Sequence, residues 1–273
     1  MQDIADLFKT ISLPVMPEVG LALISTLDDP KTSVAQVQRL IAQDPVLTAK
    51  LLALANSAAF GLPRKVAELD SAMKLVGLGK IRALALSACL HNAFSVPEGI
   101  DSTEFWRYSM DCAGYAQWLA GGLDEVLDVD PQRAWLVGLM LRLGQLIICS
   151  AQPELAAQIE QTPRAAGERW TRERALAGFD EGEVTAELAR RWNFPDAIVH
   201  ALLLASDPQL MQPTPPLAAV AHLAGLMAES ADSDADVIDT LPVPVMEALA
   251  LKYGWMKSGF PDSGSFIQIG SPA

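Results

Sequence analysis

The feature that most restricts what this chain can fold into is its punctuation for helices. Four times a short acceptor side chain stands where a helix must begin: Ser33 with Gln36 three residues on, Asp44 before Pro45, Asp101 with Glu104, and Asp130 before Pro131. Asp or Ser there accepts hydrogen bonds from the first backbone amides, which have no partner inside the helix. Pro at the first helical position loses nothing, because its nitrogen has no proton to donate. Apolar residues then recur at helical spacing: Val19, Leu23 and Leu27 after Pro17, then Val34, Val37, Leu40 and Ile41, then Leu47, Leu51 and Leu54. Alternating β-branched patterns are almost absent, so the chain reads as all-α.

The pattern predicts helices over Pro17 to Asp28, from Ser33, from Asp44-Pro45 to about Asn56, over Glu68 to Val76 and over Lys80 to Asn92. The last is apolar almost all round, which marks a central, buried helix. A break from Ser95 to Gly99 sets a boundary, giving subdomains over 1–96 and 97–253 and a Gly-, Ser- and Pro-rich tail over 254–273. In the second part, one helix runs from Asp101 through Phe105, Trp106 and Trp118, and a single helix is expected from Asp130-Pro131 to about Cys149. Further helices are expected near 153–161, 165–178, 182–192, 195–204, 216–229 and 244–253, giving about 12 to 14 in two packed subdomains. The acidic stretch from Glu229 reads as a solvated loop.

Hydrophobic residues make up 51% of the 273 and charged residues 19%, enough apolar surface for a large core. No run is read as approaching the roughly 18 to 20 apolar residues that cross a bilayer, and the N-terminus lacks a secretory pattern, so a cytoplasmic location without membrane contact is expected. Cys89, Cys112 and Cys149 are widely separated, which predicts buried thiols rather than a disulfide framework. The net charge of −13 is unevenly spread: residues 1–95 carry nine basic and eight acidic side chains, residues 96–273 eleven basic and twenty-five acidic. Such a surface repels phosphate backbones, which disfavours nucleic acid as a partner.

Motifs for chemistry are scarce. Gly77-Leu78-Gly79-Lys80 resembles part of a phosphate loop, but Lys74 stands where a glycine is needed and Ile81 where Ser or Thr is needed, so it reads as a turn between helices. His91, His200 and His222 have no second histidine at helical spacing and read as structural. Asp111 and Glu183 read as surface charge. Arg64, Lys65, Lys74, Lys80 and Arg82 form a basic cluster that could face phosphates, or simply be solvated, since no aromatic residues interleave with it.

Several segments together resemble one family. They are LeuProValMetPro from Leu13, with Pro14 and Pro17; Asp44-Pro45 and its helix; Asn56, Ser57, Phe60 and Gly61 in the turn that follows; and LeuValGlyLeu from Leu75. Later come PheTrpArgTyrSer from Phe105, with Trp106, GlyLeuMetLeuArgLeuGly from Gly138, and GlyPheAspGlu from Gly178 through Trp192. In order and spacing these resemble the HDOD domain over roughly residues 7–228. Its parent HD superfamily holds metal with a His, a His-Asp doublet and a further Asp, and hydrolyses phosphate esters. At the matching positions this sequence has Tyr108, then Leu141 and Arg142, with Glu181 where His is frequent. Leu141 cannot coordinate, and Arg142 puts a permanent cation where a divalent ion should sit.

The resemblance therefore implies a non-enzymatic regulatory output module of bacterial signalling, without metal or other cofactor. It would bind a protein partner, or a nucleotide-type messenger in a groove between subdomains. An atypical metal-dependent phosphohydrolase is the alternative, and nucleic-acid binding through the Arg64 to Arg82 cluster a third reading. Asn56, Ser57, Phe60 and Gly61 are expected to shape the turn after the fourth helix, and could also form a contact surface.

Overall fold

The computed structural model describes residues 4–27, 29, 31–56, 65–161, 165–230, 235–261 and 266. Among these there are sixteen α-helices and no strand: α1 (Ile4–Leu7), α2 (Glu18–Ile24), α3 (Val34–Ala42), α4 (Pro45–Ala55), α5 (Leu69–Val76), α6 (Leu78–Ala93), α7 (Ser102–Gly121), α8 (Pro131–Met140), α9 (Leu143–Ala151), α10 (Pro153–Ile159), α11 (Glu168–Ala177), α12 (Glu181–Arg191), α13 (Asp196–Leu203), α14 (Pro216–Glu229), α15 (Val243–Ala248) and α16 (Tyr253–Ser258). Short 3-10 turns cover Glu125–Leu127, Pro208–Leu210 and Ala235–Thr240.

The caps act as their chemistry requires. Ser33 Oγ accepts from Gln36 N at 3.2 Å, Asp44 Oδ1 from Val46 N and Leu47 N at 2.9 and 3.0 Å, Asp101 from Glu104 N at 3.0 Å, and Asp130 from Gln132 N and Arg133 N. Buried residues follow the expected stripes at Val19, Leu23, Val37, Ile41, Leu47 and Leu51. Val34 is exposed and Leu27 lies beyond the end of α2, so neither belongs to its stripe; the side chain of Leu54 lies outside the described residues, as do Asp28 and Pro30.

Two compact units emerge. One comprises 14–95 with 192–195. Its centre is α6, in which Ile81 and all of Ala83 to Leu90 are buried, with α2, α4 and α5 packed around it. Gly77, at φ +93, turns the chain between α5 and α6 and is a helix junction, not a phosphate loop. In this unit Lys74 pairs with Asp70, Arg82 donates to Thr26 O at 3.0 Å, and Arg64 lies outside the described residues. Two cations of the basic cluster, Lys74 and Arg82, are thus engaged within the unit.

The other unit comprises 1–13, 96–191 and 196–273. Its core is the twenty-residue α7 with α8 and α14 against it, beside a second layer in which α12 packs on α9 and α13. Close approach depends on missing side chains: a Cβ on Gly138 would lie 2.6 Å from Cys112 O, and one on Gly144 would lie 2.1 Å from Glu181 O. The expected single helix over 130–149 is two, broken at Leu141 and Arg142. That region also corrects the reading that no long apolar run exists, because Pro131–Ala151 has the length and composition to cross a bilayer; 83% of that stretch's most apolar window is buried inside the unit. The acidic segment after α14 differs from a plain solvated loop too: Val237 and Ile238 are buried in the 3-10 turn, and residues 231–234 lie outside the described ones. Near the chain's end, Trp255 stacks on Trp118 of α7 with centroids 4.8 Å apart, and Phe260 and Phe266 pack on Tyr115.

Candidate functional site

The helix break brings the chemistry together. At the start of α9, Gly144 N has no partner in its own helix and donates to Thr185 Oγ1 of α12 at 2.8 Å, while the same hydroxyl donates to Glu181 O. Arg142, held just before α9 at φ −96 and ψ 6, turns its guanidinium inward, where only 12% of the side chain is exposed. Its central carbon sits 3.4 Å from the centroid of the Tyr108 ring, supplied by α7. Nε donates to Glu181 Oε1 at 3.4 Å, and Nη2 pairs with Glu229 at the end of α14.

Behind it lies a second guanidinium. Arg169, on α11 and 1% exposed, donates from Nε to Glu181 Oε2 at 2.9 Å, pairs from Nη2 with Glu173 at 2.9 Å, and pairs from Nη1 with Glu160. Glu181 Oε1 also accepts from Trp170 Nε1 at 3.2 Å, and Glu173 Oε2 accepts from Glu181 N at 2.7 Å. Gln145 Nε2 donates to Glu160 at 2.6 Å, and Glu229 Oε2 accepts from Gly167 N at 2.7 Å. The continuous network thus holds two guanidiniums and four carboxylates, Glu160, Glu173, Glu181 and Glu229, on five different helices or their ends.

Electrostatics follow from that crowding. Burial opposes the charge on Arg142, but Tyr108, Glu181 and Glu229 around it hold it charged more firmly than usual. Burial and the neighbouring Glu181 raise the Glu173 carboxyl well above the ordinary range, against the pull of Arg169. Burial likewise raises the Tyr108 phenol and the Cys112 thiol, and pushes the Cys89 and Cys149 thiols up to about 11, which keeps all three thiols protonated at neutral pH. The Tyr108 hydroxyl is buried and has no hydrogen-bond partner among the described residues. Above the network opens a cavity of about 430 Å³, with Tyr108, Arg142, Gln145, Glu160 and Glu229 in its wall and Glu104 near Arg107.

Residues 13–208 match the HDOD domain. The chain belongs to the HDOD domain family. A curated relative, an uncharacterized protein of Treponema pallidum (strain Nichols), is 26% identical over 197 residues, which covers 70% of this chain; the chain spans only 37% of that relative's length. Three solved structures share the fold: a candidate phosphohydrolase from Shewanella amazonensis SB2B (TM-score 0.74, 24% identity, 96% of this chain and 95% of that one), a candidate signal transduction protein from Marinobacter aquaeolei VT8 (0.75, 21%, 95% and 58%), and an HDOD domain protein of unknown function from Geobacter sulfurreducens (0.73, 19%, 95% and 90%).

Of the four positions expected from the resemblance to stand where relatives carry metal ligands or a frequent His, three lie together in this domain: Tyr108, Arg142 and Glu181. Leu141 is fully buried and packs toward Gly225 of α14. The residues present do not fit a divalent metal. A guanidinium lies between the carboxylates, and among the described residues no three His, Cys, Asp or Glu are grouped to hold an ion.

The other family-motif residues lie elsewhere. Asp44 and Pro45 start α4, and Asn56 latches its end by donating to Leu52 O and Val66 O and accepting from Val66 N, at 2.7 to 2.8 Å. Pro14 and Pro17 precede α2, Trp106 lies edge-on to Phe105, and Trp192 packs on Phe94 and Phe194. None of them lines the cavity. Ser57, Phe60 and Gly61 lie outside the described residues.

Several participants were read wrongly from the sequence. Asp111 is 5% exposed and paired with Arg107 at 2.8 Å, not surface charge. Glu183 and Asp180 form a reciprocal capping box at 3.0 Å, a signal legible in AspGluGlyGlu. Glu229 is a half-buried partner of Arg142 rather than the start of a loop. Arg169, Glu160 and Glu173 carried no local signal at all.

Proposed function

We propose that this HDOD domain is a regulatory module that works by binding and not by hydrolysis. The reading rests on one observation: the Arg142 guanidinium lies over Tyr108 and between Glu181 and Glu229, within the group of residues that resembles the metal site of the hydrolytic relatives. A divalent ion there would have to displace a cation held by two carboxylates, and the site would still lack imidazole donors. A protein partner in a signalling pathway is the favoured class, in keeping with the signal-transduction name of one structural neighbour.

The test is metal content by mass spectrometry, together with hydrolysis of bis(4-nitrophenyl) phosphate in the presence of Mg²⁺, Mn²⁺ or Zn²⁺. The expected result is substoichiometric metal and no turnover. Stoichiometric metal with an activity abolished by Arg142→Ala would establish the alternative, an atypical phosphohydrolase.

A further inference from the structure

Within the larger unit, the turn Glu125–Leu127, the start of α8, α13 and the segment leading into α14 enclose another cavity, of about 260 Å³. Its lining is mainly apolar, with Leu127, Val129, Ala201, Met211 and Leu217 among the contributors. Pro215 and Pro216 form the wall before α14, and their fixed φ leaves that wall little backbone freedom to lose on binding. The apolar surface is not sealed. Met211 is 48% exposed, and the neighbours in sequence of two lining residues, Val126 beside Leu127 and Leu210 beside Met211, are 93% and 65% exposed. Val126 is the most exposed large apolar side chain among the described residues. Exposed apolar residues scattered singly are ordinary; here two turns that each feed a lining residue into an apolar cavity carry them, which is the composition of an uncovered interface.

The rim decides what covers it. Asp128 and Asp130 stand in the wall, Asp124 and Glu125 are exposed on the same turn, and Asp196 is exposed next to Ala197, a further lining residue. Against these carboxylates the wall offers one lysine or arginine, Arg133. Asp130 already accepts from the first amides of α8, whereas Asp124, Glu125, Asp128 and Asp196 form no ion pair among the described residues. An apolar floor with a negative rim selects an apolar occupant with positive flanks. A second copy of this chain, with its own net charge of −13, is repelled. A volume just under the roughly 300 Å³ at which small-molecule sites begin suits one or two anchoring side chains.

We propose that this groove docks a segment of a partner protein in which a large apolar side chain is flanked by lysine or arginine. The anchor fills the cavity, and the cations meet Asp128 and its neighbours. The proposal rests on reading the domain as a binding module and names where on it a partner sits and what the partner presents.

Selection of a phage-displayed dodecapeptide library on the full chain at low salt, followed by fluorescence anisotropy of the enriched peptides, tests it. Enriched peptides should carry a large apolar residue with Lys or Arg close by in sequence. Ala197→Trp, which fills the cavity from an exposed position of α13, should weaken their binding about tenfold or more with the melting midpoint unchanged. Should that variant unfold, Met211→Ser supplies the same readout from an exposed residue. Glu125→Lys should weaken binding about two- to threefold at low salt, and the difference should fade near 1 M salt. The proposal is overturned if no sequence is enriched, if the enriched peptides are acidic or lack cations, or if the cavity variants leave affinity unchanged. It is equally overturned if the chain dimerises in sedimentation and Ala197→Trp dissociates it, since a second copy then occupies the groove. The metal and hydrolysis assay is independent of all these results, so the two readings fail separately.

Discussion

Removing Arg169 should be among the most damaging single changes in this protein. Its guanidinium is 1% exposed and contacts Glu160, Glu173 and Glu181, the last two fully buried. In Arg169→Met the aliphatic volume is roughly kept, but four carboxylates remain around Arg142 alone. Breaking a buried pair by removing one partner costs about 3 to 5 kcal/mol, because the other charge is left without compensation. Over a chain of 273 residues, with about 2.1 cal/mol/K of unfolding entropy each, a loss of about 4 kcal/mol lowers the melting midpoint by about 7 °C.

The defect should depend on pH in a defined direction. The Glu173 carboxyl is already raised in the folded protein by burial and by Glu181, and losing Arg169 raises it further. A carboxyl whose folded pKa lies above its unfolded value favours folding below the unfolded value, near 4.5, and loses that contribution as pH rises through the folded one. Both proteins keep this carboxyl protonated when folded below the wild-type value of about 8, so the difference between wild type and variant should grow from pH 7 to pH 9. Urea unfolding followed by tryptophan fluorescence, with Trp170 beside the network, measures it at both pH values. A loss below about 1 kcal/mol, or an equal loss at both, would refute the argument that Arg169 neutralises buried carboxylates.

Gly144→Ala should cost about 2 to 4 kcal/mol in urea unfolding, because the added Cβ would lie 2.1 Å from the Glu181 carbonyl oxygen, which is backbone and can yield only by separating α9 from α12. Asn56→Ala removes three hydrogen bonds that tie the end of α4 to Val66, a loss of about 2 to 3 kcal/mol, with faster hydrogen exchange at the Val66 amide as the local readout. Gly122→Val should dislodge α16, since a Cβ there falls 2.1 Å from the Trp255 ring; loss of near-ultraviolet dichroism from the Trp118 and Trp255 stack is the expected signature.

Helix starts were legible because a cap is a contract between residues two or three apart. Ser33, Asp44, Asp101 and Asp130 each satisfy amides within their own first turn, so the local sequence contains both partners. The all-α class follows from the same local signals, and the spacing of the family motifs was enough to place the chain among HDOD domains. The break between α8 and α9 was not legible. Pro131 to Ala151 is apolar throughout except for a few polar positions, and its interruption is stabilised by Thr185, 41 residues beyond Gly144.

The candidate site divides in the same way. That Tyr108, Leu141 and Arg142 cannot make a metal site is a property of their side chains, readable without coordinates. What surrounds Arg142 is decided by tertiary packing alone, because Glu229 lies 87 residues away and Glu181 39. Asp, Glu and Arg are ordinarily surface residues, so sequence assigns them to solvent; only packing of α9, α11, α12 and α14 removes the water and forces their charges to answer one another.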